Sequence, residues 1–135
     1  MPRSRWRSSC IKRHRVKWIL IVDDDPDVRD VLQQFLTLEG YKVCTATNGL
    51  KALERLHKGP KPGLILLDLM MPVMDGFAFR AEQRRDPALA PIPVVIITAV
   101  HDAKRSAATL GINEWMSKPV EFDRLVGVAS RYCAS

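Results

Sequence analysis

Four stretches of this chain place a chemically competent side chain at or just past the end of an apolar run. WILIV (18–22) leads into Asp23, Asp24 and Asp25, and LILL (64–67) into Asp68. VVII (94–97) leads into Thr98, and INEWM (112–116) is soon followed by Lys118 and Pro119. A carboxylate behind four large apolar residues must emerge at an edge or meet a cation, since burying it unpaired is costly or raises its pKa. Gathering several acids needs a counter-charge as well. Two unit charges about 4 Å apart repel by roughly 4 kcal/mol at an effective dielectric of about 20. Hard oxygen ligands in this number suit Mg²⁺, which takes one or two carboxylates, waters and a phosphate oxygen. With a lysine and a hydroxyl beside them, these are the parts for phosphoryl transfer, where a site mostly positions groups and neutralises charge.

The elements that would position these groups alternate along the chain. WILIV reads as a buried strand, followed by a helix in which Val28, Val31, Leu32, Phe35 and Leu36 share a face. Asp25 or Asp27 can cap that helix, Pro26 suits its first turn, and Gly40 ends it. YKVCTA (41–46) is a second strand, and Leu50, Leu53 and Leu56 mark a helix over 49–58. LILLD (64–68) is the third strand, with a helix over 76–85 after the Asp75-Gly76 turn; VVIIT (94–98) is the fourth, then a weaker helix over 102–110. INEWM is the fifth strand, and a last helix puts Phe122, Leu125, Val126 and Ala129 on one face. Apolar strands alternating with helices predict an α/β fold, a parallel sheet covered on both faces. Ligands of such sheets bind outside the carboxyl ends of the strands, which is where Asp23, Asp24, Asp68, Thr98 and Lys118 fall.

Here ILIVDDDPDVR, LDLMMPVMDG, VVIITA and the Lys118-Pro119 pair resemble, in order and spacing, the receiver domain of two-component response regulators, over roughly residues 17–133. The resemblance implies a flavodoxin-like (βα)5 doubly wound sheet with strand order 2-1-3-4-5. It implies that Asp68 is the phosphoacceptor. Mg²⁺, with Mn²⁺ as substitute, would be held by Asp23, Asp24, Asp68 and the backbone carbonyl of Met70, with Asp24 the more direct ligand of the acidic pair. Thr98 and Lys118 would hold phosphoryl oxygens, Trp115 occupies the switch position, and Lys118–Pro119 matches a bond that is usually cis. The implied partners are a histidine kinase or phosphotransfer protein, and a downstream effector reading the face of the fourth helix, fifth strand and fifth helix. A phosphorylation-dependent dimer is a further partner the resemblance allows. Such a domain signals rather than turning over substrate, apart from slow self-catalysed phosphorylation and dephosphorylation. Met70 and Val100, two residues past Asp68 and Thr98, stand at positions that influence dephosphorylation. Both are apolar, so a comparatively long-lived phosphoryl group is expected.

Composition narrows the alternatives. The chain has 135 residues, 47% apolar and 27% charged, enough for one domain with a real core. The expectation is a bacterial, cytoplasmic, stand-alone receiver over 17–135 behind a basic extension at 1–16. No apolar run approaches a membrane span, and Cys10, Cys44 and Cys133 form no C-x-x-C pair. The net charge of +6 divides unevenly: residues 1–17 hold seven Lys or Arg and no acid, leaving a net of −1 over 18–135. The arm carries no DNA-binding motif, so nucleic acid is a weak reading beside a solvated extension. A phosphorylation-independent interaction module remains the other alternative, disfavoured because both acids, the Thr and the Lys are all present. A flavodoxin-like enzyme is disfavoured because DDDP stands where a Gly-rich phosphate loop would follow the first strand. His14, His57 and His101 lack metal-ligand spacing; Met70, Met71 and Met74 read as loop packing, Cys44 as core, and Cys133 as part of a frayed helix end.

Overall fold

A computed structural model describes residues 17–133. The basic extension at 1–16, with Trp6, Cys10 and His14, lies outside the described residues. Five strands, β1 (Ile19–Val22), β2 (Val43–Ala46), β3 (Leu64–Leu67), β4 (Val94–Thr98) and β5 (Glu114–Ser117), alternate with five helices. The helices are α1 (Pro26–Leu38), α2 (Gly49–Leu56), α3 (Gly76–Arg85), α4 (Ala103–Thr109) and α5 (Phe122–Cys133). All strand pairs are parallel and the order is β2-β1-β3-β4-β5. This is the flavodoxin-like doubly wound sheet.

Strand alternation separates two cores. Leu20, Val22, Ile65, Leu67 and Ile96 face one side, where they meet Ala52 and Leu56 of α2, Phe79 of α3 and Ala107 of α4. Ile19, Ile21, Leu64, Leu66, Val95 and Ile97 face the other, against Leu32 and Leu36 of α1 and Leu125, Val128 and Ala129 of α5. The three central strands are buried at every position, and each fully buried Ile or Leu contributes about 1.5–3 kcal/mol.

Several local expectations shift at the sheet edges. β2 and β5 are flanked on one side only, so Val43, Cys44, Thr45, Glu114 and Trp115 are half-buried rather than covered on both faces. β2 starts at Val43 because the Tyr41 N–H closes back onto the Leu36 carbonyl at the end of α1, where Gly40 takes φ +98°. Likewise the Ile112 N–H bonds Ala107 O, which delays β5 to Glu114. In α2 the buried residues are Gly49, Ala52 and Leu56, and Leu50 is 42% exposed. Val128, not Val126, joins Leu125 and Ala129 in the core under α5.

The cysteines also differ from expectation. Cys44 is half-buried beside Arg55, whose Nη2 reaches its Sγ at 3.3 Å and whose guanidinium covers Trp18. Cys133 is 1% exposed rather than frayed, and burial pushes its thiol up to about 12. The thiolate is the nucleophile, so iodoacetamide at neutral pH is expected to leave Cys133 unmodified in the native protein and to label it fully in urea. Peptide mass spectrometry reads the result; rapid native labelling would contradict the burial.

Candidate functional site

Register brings the polar groups together. Val22 pairs with Leu67 and Ala46, and Thr98 pairs with Ser117. The next residues, Asp23, Asp68 and Lys118, therefore leave the sheet at one edge. Main-chain bonds extend the ladder past its end: Asp68 N–H to Val22 O at 2.9 Å, and Lys118 N–H to Thr98 O at 3.0 Å. Asp23 and Asp68 are buried while Asp24 is exposed, and one carboxylate oxygen from each of the three lies within 4.8 Å of the others.

Lys118 is the cation of this cluster. Its Nζ lies 2.8 Å from Asp23 Oδ2 and 3.5 Å from Asp68 Oδ2, and the Lys118–Pro119 bond is cis. Asp68 Oδ1 accepts from the Leu69 N–H at 2.8 Å. Burial and the Asp23 charge push the Asp68 carboxyl above its ordinary value, against the opposing pull of Lys118 and the Leu69 N–H. Burial also disfavours the Lys118 ammonium, but its bond to Asp23 and the charges of both acids outweigh this, and its pKa is raised. One ammonium against three carboxylates leaves net negative charge in a partly buried place. Hard oxygens in that number suit a divalent cation with an octahedral preference, so the donor set fits Mg²⁺.

The other expected residues lie at the end of β4, in the β3–α3 loop and on β5. Thr98 is fully buried and its Oγ1 accepts from the Val100 N–H at 3.2 Å. Met70 lies two residues past Asp68 and is 63% exposed. Trp115 is half-buried against the α2–α3–α4 core, and its carbonyl accepts from Arg124 at 2.8 Å. Asp25 caps α1, accepting from the Asp27 and Val28 N–H groups. Gly76 starts α3 directly beneath the site: a Cβ there would lie 2.6 Å from Asp68 O and 2.8 Å from Leu69 Cα. An apolar groove of about 280 Å³ opens beside Lys118, lined by Val28, Val31, Pro119, Val120 and Phe122. Phe122 stacks on Phe35 with ring centroids 4.2 Å apart.

Sequence reasoning missed two polar residues. Arg29 donates from Nη1 to the Asp23 carbonyl at 2.9 Å; an arginine on an amphipathic helix carries no sign of such a bond. Gln83 is wholly buried, donating to Leu89 O and Ile92 O and accepting from Arg80. The only hint was a polar residue four positions after Phe79, on the buried face of α3.

Comparison with known proteins follows the same lines. Residues 19–130 match the family described as the response regulator receiver domain. An uncharacterised 14.6 kDa protein of Leptolyngbya boryana is 37% identical over 117 residues, covering 85% of this chain and 88% of that one. The DNA-binding dual master transcriptional regulator RpaA of Synechocystis sp. is 36% identical over 110 residues, 80% of this chain but only 45% of RpaA. Among solved structures, the response regulator TrrA of Thermotoga maritima in complex with Mg²⁺-BeF superposes with a TM-score of 0.75 at 30% identity, covering 86% of this chain and 98% of TrrA. Fold, site composition and similarity over nearly the whole described chain agree: the protein belongs to the response regulator receiver domain family.

Proposed function

We propose that the protein accepts a phosphoryl group on Asp68 from a phosphohistidine of a kinase or phosphotransfer protein and signals the change to a protein partner. The carrying observation is the meeting of Asp23, Asp24 and Asp68 at one sheet edge with the Lys118 ammonium between two of them. A carboxylate oxygen of Asp68 attacks phosphorus in line. The new O–P bond forms as the P–N bond breaks, and its electron pair leaves with an imidazole kept neutral by the proton on its other nitrogen. Asp23, Asp24, Asp68 and the Met70 carbonyl would hold Mg²⁺, or Mn²⁺ in its place, which supplies charge neutralisation when bound. Lys118 and the Thr98 hydroxyl take phosphoryl oxygens. The donor covers the groove between α1 and the β5–α5 turn, where the apolar wall ends at Lys118.

The output follows from charge. Phosphorylation adds about −1.5 to −2 to the pocket. The Thr98 hydroxyl then has a charged oxygen to donate to, and a shift of the 98–100 segment toward it gives Trp115, which packs with Val100 against the same core, room to rearrange. That biases the α4–β5–α5 face between two states, which an effector would distinguish. The test is intact mass after incubation with acetyl phosphate, with and without Mg²⁺. A Mg²⁺-dependent phosphoryl adduct is expected; its absence with both acetyl phosphate and a cognate kinase would end this reading.

Lifetime gives a second check. Neither the thioether of Met70 nor the isopropyl group of Val100 can orient a water for attack on phosphorus. The adduct is expected to decay slowly with Mg²⁺ present, and Met70→Asn, which offers both a donor and an acceptor, is expected to shorten its life at least severalfold. Equal decay of both proteins, followed by mass spectrometry, would remove that link.

A further inference from the structure

Asp23 is held at three oxygens. Oδ1 accepts from the Asp25 N–H at 2.9 Å, Oδ2 faces Lys118 Nζ at 2.8 Å, and the main-chain carbonyl accepts from Arg29 Nη1 at 2.9 Å. The third bond is of a different kind. Its donor comes from the half-buried side of α1 and reaches back over the β1–α1 turn, the segment that carries Asp23, Asp24 and Asp25. Arg29 makes this bond although Asp24, Asp25, Asp27 and Asp30 are its near neighbours in sequence. A guanidinium engaged with a backbone carbonyl fixes the chain rather than neutralising an acid.

We propose that Arg29 is a positioning residue for the acidic site: it pins the Asp23 carbonyl so that the turn presents the Asp23 and Asp24 carboxylates at the spacing a divalent cation requires. This rests on the reading that Asp23, Asp24 and Asp68 hold Mg²⁺. Groups that orient metal ligands without touching the metal govern affinity strongly, and their loss typically costs 10–100-fold. Here the sign of the effect separates positioning from charge. A guanidinium acting only as a nearby cation repels Mg²⁺, so removing it would tighten binding or leave it unchanged. Removing a group that holds the ligands in place loosens binding.

The experiment is a calorimetric Mg²⁺ titration of the full chain as wild type, Arg29→Met and Arg29→Lys, well below their melting temperatures, with melting curves recorded in EDTA. Arg29→Met is expected to raise the Kd for Mg²⁺ about tenfold. Arg29→Lys restores a donor on a flexible stem and is expected to recover most of the loss. A purely structural role would lower the melting temperature in EDTA while leaving the Kd of the folded protein unchanged, and that result overturns the proposal. So does a tightened Kd, or an equal loss in the Met and Lys variants. Absence of saturable Mg²⁺ binding in the wild type would instead defeat the metal reading itself, and the role of Arg29 with it.

Discussion

Asp68→Asn is expected to abolish the phosphoryl adduct and, in the absence of Mg²⁺, to make the protein more stable. The first effect follows from chemistry: an amide is a far poorer nucleophile than a carboxylate, and no other buried acid of the site takes its place at the end of β3. Intact mass with acetyl phosphate and Mg²⁺ should show incorporation falling below detection. The second follows from linkage. The folded-state pKa of Asp68 is raised above the ordinary 3.8, first by burial and then by Asp23. Such a group favours folding fully below its unfolded pKa, and that contribution is lost as pH rises through the folded value. At neutral pH its ionisation therefore opposes folding.

Asparagine removes that opposition while its side-chain oxygen can still accept the Leu69 N–H, and Lys118 keeps Asp23 at 2.8 Å. A higher melting temperature is expected in EDTA at pH 7, because the amide buries no charge beside Asp23. Wild type should recover ground on adding Mg²⁺, because a ligand bound only by the native state stabilises it by mass action, and the variant should recover less. Melting in EDTA and in Mg²⁺ at pH 7, compared with pH 4, reads all of this. A less stable variant in EDTA at pH 7 would contradict the electrostatic account.

Gln83→Leu is expected to destabilise the domain by about 1–3 kcal/mol. Gln83 Nε2 donates to Leu89 O at 3.0 Å and to Ile92 O at 3.1 Å, and its Oε1 accepts from Arg80 Nη1 at 2.8 Å. Leucine fills the space and satisfies none of these groups. Leu89 O keeps the Ile92 N–H at 3.1 Å, but Ile92 O loses its donor, and a buried carbonyl left without a partner costs about 1–3 kcal/mol. Arg80 would keep its bonds to Leu110 O and Gly111 O, so the join between α3 and the α4–β5 turn persists. The damage should centre on the loop from Asp86 to Pro93. Urea unfolding gives the magnitude, and hydrogen exchange of that loop gives its location. Glu82→Ala is the control: its pair with Arg85 is exposed, and such pairs contribute little. A Gln83→Leu loss no larger than that control would mean that water reaches the loop carbonyls.

The limits of sequence reading have physical causes. The helix over 76–85 and the strand over 94–98 were legible to the residue, because Asp75-Gly76 and the prolines 87, 91 and 93 punctuate them. Strand starts at the two sheet edges were misplaced by two residues. Tyr41 and Ile112 have strand-like side chains, but their N–H groups are taken by the ends of α1 and α4. Leu50 fitted a helical stripe, yet it is 42% exposed, while Ala52, one turn before Leu56, is buried.

The chain by itself indicated which polar groups would share one sheet edge. Acids, a hydroxyl and a lysine at or near the ends of apolar strands belong together once a parallel sheet is inferred, since all strands of such a sheet end at one edge. Their geometry was decided only in three dimensions. Which acid Lys118 grips more tightly, how Arg29 reaches the Asp23 carbonyl, and why α3 carries a buried glutamine all depend on groups brought together from different elements. Hydrophobic periodicity and turn chemistry act over a few residues and can be read locally. Pairing of polar groups is set by strand register and helix packing, which no local pattern encodes.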